Sequence, residues 1–216
     1  MKFQKSIALA LGLAALVSAP LAASTDKYSF DGNHSSIGFD ALHLGIFKVH
    51  GTFDKFDAVL DYDAKDVTKS DVKVTIDIAS INTRNEMRDK HLRSEDFFNA
   101  ASFTTGTFTS TKVEAGKDGK LKITGDLTLR GVTKSVVLDA AILGTAVDDY
   151  GNNRLGFTAS TTINRMDYGI AWNHIHKSGA ITVGPNIDIV ISGEAIQAKA
   201  PAADDKSEKK AKSDKK

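Results

Sequence analysis

The sequence predicts an all-β domain of about eight antiparallel strands, and three observations support this fold class. Apolar and polar residues alternate over many short runs, as from Val72 to Ile78, which is the pattern of a strand with one buried face. Turn dipeptides such as Asp118-Gly119 stand between these runs. The connections are short, which favours neighbouring strands that run in opposite directions.

The alternating runs place eight strands along the chain. Their approximate ranges are 34–43, 48–62, 70–80, 103–114, 119–130, 133–148, 154–165 and 179–196. Eight antiparallel strands form either a sandwich or a closed barrel, and the alternation alone does not separate the two. A closed barrel has no exposed edges, and its interior is wide enough to hold one small ligand.

One charged segment, residues 82–93, lacks the alternation and predicts a short helix inserted between two strands. Asn85 precedes the first helical residues and is a favourable N-cap. Met87, His91 and Leu92 stand about one turn apart, as residues on one face of a helix do. We therefore expect a helical insertion that turns back toward the barrel.

The first 23 residues have the features of a cleavable signal peptide. Lys2 and Lys5 precede an apolar run over residues 7–17, and Pro20 and small residues then lead to Ala23. We expect cleavage near Ala23 and export to the periplasm. The chain has no cysteine, which excludes a lipid-anchored lipoprotein and any disulfide. An uncleaved anchor is the alternative, but the apolar run is short for a membrane span.

Residues 197–216 are rich in lysine and include no large apolar residue. Such a segment cannot bury enough surface to offset its ordering entropy, so we predict a disordered tail after a domain of residues 24–196. The lysines can attract anionic headgroups, but the acidic residues among them favour a solvated terminus. The domain has four more acidic than basic residues, which argues against nucleic acid as a partner.

Several separate segments carry a family resemblance. They contain Tyr28, Asp31, His34-Ser35, Ile81-Asn82-Thr83, Arg88-Asp89, His91-Leu92-Arg93, Asp96-Phe97-Phe98, Gly125 to Lys134, Ile163-Asn164-Arg165 and Asp167 to Ile170. The charged and aromatic residues around the predicted helix are the most specific of these. Together the segments resemble the YceI-like family of polyisoprenoid-binding proteins over residues 27–193.

The resemblance implies a lipocalin-like antiparallel barrel with a short helical insertion. It also implies that the lumen holds an isoprenoid amphiphile, such as a prenyl quinone or a polyprenyl phosphate, as a carrier or store. The chain departs from the family pattern at Thr104, Gly106 and Ser135. We expect the departure at Gly106 to enlarge or reshape the cavity, because a larger aliphatic residue is usual there.

Large apolar residues on the predicted strands and helix are the candidates for contact with the apolar part of the ligand. They are Phe39, Phe53, Phe56, Val74, Ile76, Met87, Phe97, Phe98, Phe108, Leu127, Leu129, Ile163 and Ile189. The alternative is that these side chains fill the barrel as a solid core. The protein is then a pocketless structural or interaction domain of the periplasm.

Arg84, Arg88 and His91 are the candidates for contact with a headgroup, because arginines form paired hydrogen bonds with phosphate oxygens. Ion pairs that fix the helical insertion are the alternative role for these arginines. His174 and His176 lack a third ligand close in sequence, so we predict no metal.

Two further features bear on the site. The sequence has no nucleophile elbow around a serine, and the prediction is a binding protein without catalytic residues or a cofactor. Transient contact with a membrane is compatible with a lipid cargo. Tyr168 and Trp172 lie in an irregular segment after the seventh strand, and we interpret them as a plug of one barrel end.

Overall fold

Eleven β-strands and one α-helix make up the part of the chain that the computed structural model describes, residues 25–199. The strands are β1 (Asp26–Phe30), β2 (Ser36–His43), β3 (Phe47–Phe53), β4 (Phe56–Tyr62), β5 (Asp71–Asp77), β6 (Ile81–Asn82), β7 (Thr105–Ala115), β8 (Lys120–Leu129), β9 (Val132–Val147), β10 (Asn153–Asn164) and β11 (Val183–Gln197). The helix is α1 (Glu86–Arg93). The predicted signal peptide and nearly all of the predicted tail lie outside the described residues.

The strands form one antiparallel sheet that closes on itself. Pairing runs in the order β1-β4-β5-β7-β8-β9-β10-β11, and β11 pairs again with β1. Strand β2 lies beside β11 after β1, and β3 lies between β2 and β6. The pairs β1–β2, β3–β4 and β5–β6 are therefore three long strands, each interrupted by a few residues. Eight long strands surround the lumen, so the predicted eight-stranded antiparallel barrel is confirmed.

The predicted strand boundaries differ from the structure at two places. Strand β1 was not predicted, because Tyr28 is the one buried residue among its five and gives little alternation. The last strand begins at Val183 instead of residue 179, because residues 174–182 form a separate small hairpin closed by a bridge between Ile175 and Ile181.

The antiparallel order gives the barrel two chemically different ends. One end, which we call the helix end, carries the turn at residues 44–46, the insertion with α1, the turn at Arg130-Gly131 and the segment 165–182. The opposite end, the far end, carries the turns at 63–70, 116–119 and 148–152 together with both ends of the described chain. Any opening of the lumen at the helix end is therefore bordered by α1.

Helix α1 begins as the sequence predicts, since the Asn85 side chain accepts a hydrogen bond from the Arg88 backbone N–H at 3.0 Å. The prediction that Met87 faces the lumen is wrong, because its side chain is 86% exposed. Arg88, His91 and Leu92 border a cavity at the helix end, at the spacing i, i+3, i+4. Asp89 is the buried residue of the helix, and Met87 lies about 160° around the helix from it, on the solvent side.

Side chains of β1, β10 and β11 pack together near the far end of the barrel. Tyr28, Leu155, Phe157 and Ala195 form a buried cluster there, and Leu155 and Ala195 are 0% exposed. The rest of the barrel has a larger apolar cluster that surrounds the lumen. The lining of the lumen includes Ser70 and Asp71 from the far end and Leu92, Phe97 and Phe98 from the helix end, so the cavity extends along the barrel.

Glycines on the barrel wall allow aromatic rings to lie flat against the sheet. A Cβ atom at Gly51 would lie 2.3 Å from the Phe39 ring, and one at Gly125 would lie 2.4 Å from the Phe108 ring. Gly106 has the same role for aliphatic neighbours, since a Cβ atom there would lie 3.0 Å from Leu129. Of the two expected effects of Gly106, enlargement of the cavity is wrong, because Leu129 and Ile78 already occupy the space beside it.

A guanidinium with three carboxylates fixes the bend between β1 and β2 on the outer surface. Arg154 contacts Asp31 at 2.7 Å and Asp148 and Glu194 at 2.8 Å each. His34 contacts the same Asp31 carboxylate at 2.8 Å. The hydrogen bond from Arg154, followed by that from His34, lowers the pKa of Asp31 to about 2.

We expect Asp31→Asn to lower the free energy of unfolding at pH 7 and to have much less effect near pH 2. The carboxyl has a lower pKa in the folded protein than in the unfolded chain, where the value is about 4. Its stabilising contribution is therefore complete above pH 4 and is lost as the pH falls toward 2. Urea unfolding of both proteins between pH 2 and pH 7 measures this, and a difference that is independent of pH would contradict it.

Candidate functional site

The barrel encloses an apolar lumen. The centre of a water-sized sphere can move through about 200 Å³ of it. Its wall is made of aliphatic and aromatic side chains from every long strand, together with Leu92, Phe97 and Phe98 from the helical insertion. An engineered protein cavity of about 150 Å³ with an aliphatic and aromatic lining stays dry and binds benzene. The lumen is thus large and apolar enough to bind part of a hydrocarbon chain.

The structure places most of the predicted apolar candidates in the wall of this lumen. Phe56 packs against the surrounding core without reaching the cavity, and Met87 is exposed on α1. The others line the cavity; they are Phe39, Phe53, Val74, Ile76, Phe97, Phe98, Phe108, Leu127, Leu129, Ile163 and Ile189. Contact of these residues with a ligand stays a prediction.

Small residues on neighbouring strands contribute to the free space in the lumen. Ala140 of β9 and Ala159 of β10 are direct partners across the sheet, and both line the cavity. A larger pair at these positions would extend toward Leu138 and Phe157 on the same wall. Ala140 and Ala159 are not among the candidates predicted from the sequence, because small residues on an alternating strand give no sign of a void.

A second cavity, which we call the vestibule, lies at the helix end. On the same measure its free volume is about 250 Å³. It adjoins the lumen, because five residues line both cavities: Phe39, Ala41, Leu92, Phe97 and Val183. Its remaining lining residues include polar ones, namely His43, Thr83, Arg88, His91 and Thr182. The site therefore has an apolar inner part and an amphipathic outer part.

Arg88 presents a cation at the vestibule. Its Nε donates a hydrogen bond to the Thr83 hydroxyl at 2.7 Å, and its Nη2 donates one to the Thr83 carbonyl at 2.8 Å. Thr83 is held in turn by Asp89, whose carboxylate accepts from the Thr83 backbone N–H at 2.8 Å. The guanidinium is thus oriented by the first turn of the helix, and Nη1 takes no part in the two bonds with Thr83.

His91 lies one turn after Arg88 and borders the same cavity. Its Nε2 is 2.8 Å from the Asp96 carboxylate, and its ring packs edge-on against Phe97 and Trp172, each with a centroid distance of 5.0 Å. The third headgroup candidate, Arg84, is exposed and does not line the vestibule. The structure therefore brings Arg88 and His91 together and separates Arg84 from them.

The irregular segment 165–184 is organised around Arg165, whose role the sequence analysis missed. Arg165 is only 3% exposed, and its guanidinium donates to the carbonyls of Ile170, Trp172, Val183 and Gly184. Burial lowers the pKa of this guanidinium. An arginine at the end of a predicted strand gives no sign of four backbone acceptors that lie up to nineteen residues away.

Two further arginines connect the loops of the helix end through backbone carbonyls. Arg130 donates to Gly169 and, at 2.9 Å, to Glu95, so the turn after β8 is tied to both the irregular segment and the insertion. Arg93 donates to Ala79 at 2.8 Å and to Ile81 at 2.9 Å. Structural bonds of this kind, rather than a ligand, occupy Arg93.

The structure places Trp172 and Tyr168 at different depths. Trp172 lines the vestibule and stacks against Phe97 with a centroid distance of 5.2 Å. Tyr168 is 2% exposed, and burial raises the pKa of its hydroxyl to about 12. Trp172 is therefore part of the wall of the opening, and Tyr168 is part of the core beneath it.

Two features are absent from the described part of the chain, residues 25–199. No group of three or more His, Asp or Glu side chains in this range is arranged to hold a metal ion. His174 and His176 are both exposed on the small hairpin of the helix end. No helix in the same range has the length and apolar character needed to cross a membrane.

We expect Arg165→Met to open the vestibule and to destabilise the protein by about 2 kcal/mol or more, because buried carbonyls lose their donors. Trp172 is the single tryptophan of the chain, so its fluorescence reports on the vestibule wall. The emission should shift to longer wavelength in this variant and stay unchanged in Arg84→Met, which alters an exposed arginine. An unchanged spectrum and stability in Arg165→Met would contradict the role given to Arg165.

Comparison with known proteins adds family information to this geometry. Residues 28–195 match the family model for the YceI-like domain. The YceI protein of Escherichia coli O157:H7 is 40% identical over 198 residues, which cover 90% of this chain and 100% of that protein. A crystal structure of the YCEI protein of Campylobacter jejuni is 38% identical, with a TM-score of 0.64 and coverage of 73% of this chain and 90% of that one.

A more distant structure shares the fold. It is a polyisoprenoid-binding domain from Saccharophagus degradans, with 15% identity and a TM-score of 0.60. The match covers 79% of this chain and 98% of that one. At this level of identity the likeness concerns the barrel alone.

Proposed function

The chain belongs to the YceI-like family, and from this premise we propose that it is an exported binding protein that holds an isoprenoid amphiphile in its barrel as a carrier or store. The observation that carries the proposal is the apolar lumen that adjoins a vestibule with a cation. The polyisoprenoid-binding domain of Saccharophagus degradans, which has the same fold, supports the class of ligand.

The lumen and the vestibule correspond to the two parts of an isoprenoid amphiphile, its prenyl chain and its headgroup. The lumen matches the prenyl chain, since its wall offers aliphatic and aromatic contacts along the barrel. The vestibule matches a polar headgroup, which Arg88 and His91 can meet at the helix end. A prenyl quinone and a polyprenyl phosphate both have this construction, and they differ in whether the headgroup is charged.

The free energy of moving a lipid from a bilayer into the lumen is compatible with a reversible carrier. Transfer of each CH2-sized group from water into an apolar site is favourable by about 0.8 kcal/mol. A membrane lipid leaves an apolar bilayer instead of water, so most of that gain cancels, and the lumen needs only to match the bilayer. Reversible loading then follows without any covalent step, and the proposal assigns no catalytic residue.

The competing function is a structural domain whose interior is filled by its own side chains. The free volume of the lumen argues against that reading, because well-packed protein interiors have few voids larger than a water molecule.

We expect Ala159→Trp to fold and to lose co-purifying lipid, because the indole ring would occupy the lumen. Ser160→Trp is the matched control, since the neighbouring residue is exposed on the outer wall. Organic extraction of each purified protein, followed by mass spectrometry, measures the occupancy. Equal occupancy in the two variants would place the ligand outside the lumen.

We expect Arg88→Ala to weaken binding of a polyprenyl phosphate by about tenfold or more, the effect of losing a charged hydrogen bond. Binding of the matching uncharged polyprenol should change little. Arg84→Ala is the control, because Arg84 lies outside the vestibule. An equal loss for both ligands in Arg88→Ala would mean that Arg88 only supports Thr83 and the helix.

A further inference from the structure

Apolar side chains project into solvent around the mouth of the site. Met87 is 86% exposed, Ile46 83%, Ile175 68% and Phe47 62%. We call these four residues the apolar rim. Such large side chains are individually common on protein surfaces, but a group of them around one opening marks an interaction site.

The rim belongs to three segments that border the vestibule. The turn that carries Ile46 is joined to the small hairpin, since the Leu44 N–H donates to the Thr182 carbonyl at 3.1 Å. The hairpin is closed in turn by a bond from the Thr182 N–H to the His174 carbonyl at 2.9 Å. Met87 immediately precedes Arg88, which lines the vestibule on the α1 side.

The rim is continuous with the path of the cargo. His43 and Thr182, which flank the turn and the hairpin, line the vestibule beside Arg88. A molecule that leaves the vestibule at the helix end therefore passes between the segments that carry the rim.

The charge of these segments differs from that of the rest of the domain. Five Lys or Arg and two Asp or Glu lie in the three segments 44–48, 84–90 and 174–181. Residues 25–199 as a whole contain 20 Lys or Arg and 23 Asp or Glu. One of the two acids, Asp89, is buried and bonded to Thr83. One of the five bases, Lys48, is paired with Asp188 at 2.7 Å. Positive charge therefore surrounds the apolar tips.

We propose that the apolar rim inserts into the surface of a bilayer that contains anionic lipid, and that cargo passes between bilayer and vestibule there. Apolar tips within a ring of basic residues match the two layers of such a surface, the acyl boundary and the headgroups. This inference rests on the proposed function, because it gives the direction in which an isoprenoid enters the barrel.

The test measures flotation of the purified full chain with vesicles of 30% phosphatidylglycerol in phosphatidylcholine. The double variant Ile46→Ser and Phe47→Ser should partition into the vesicles about tenfold less than the parent protein. The matched control is Leu143→Ser and Val147→Ser, which removes two side chains that are each 68% exposed toward the far end of the barrel. The control should float like the parent protein.

Cargo binding is measured separately, without vesicles, by native mass spectrometry with added polyprenyl phosphate. Rim-dependent flotation supports insertion of the rim into the bilayer even when no protein binds the added lipid, an outcome that would reject the proposed function and, with it, the passage of cargo. Equal flotation of the rim variant and the control overturns the inference. A rim variant that floats normally but changes from dimer to monomer in ultracentrifugation also overturns it, because the rim then covers a second copy of the chain.

Discussion

Closure of the sheet between β1 and β11 is the constraint on which the rest of the structure depends. Strand β11 pairs with β10 along one side, and its other side is shared between β1 and β2. This arrangement closes the barrel, with β6 paired to β3 alone, and assigns each residue of the alternating strands to the wall or to the solvent. The apolar lumen follows from closure, because eight strands enclose more space than their inner side chains fill.

Different interactions stabilise the two ends of the closed barrel. At the far end, the buried cluster around Leu155 packs between β1, β10 and β11, and the Arg154 cluster holds the bend between β1 and β2 from outside. At the helix end, Arg165, Arg130 and Arg93 hold the loops through backbone carbonyls, and a cavity remains between them. Charged side chains therefore stabilise the outer surface at the far end, whereas at the helix end they hold the loops that border the vestibule.

The sequence was sufficient for those features that depend on local patterns. Alternation predicted the long strands, and Asn85 predicted the start of α1. Features that depend on distant partners were missed or wrong. Met87 and His91 are spaced as neighbours on one face of a helix. The packing of α1 against the barrel determines which of its residues are buried, and the Met87 side chain is exposed. Arg165 donates hydrogen bonds to backbone carbonyls of a segment whose sequence has no regular alternation of apolar and polar residues. The filled space beside Gly106 depends on Leu129, which comes from another strand.

Native mass spectrometry of the protein, after expression with its own N-terminal segment and export, shows directly whether the barrel holds an isoprenoid lipid. We expect part of the population to carry the mass of one isoprenoid lipid per barrel, and we expect that mass to be released on activation in the gas phase. A population at the mass of the polypeptide alone, with no uptake of added polyprenyl phosphate or prenyl quinone, would contradict a lumen built to hold such a chain.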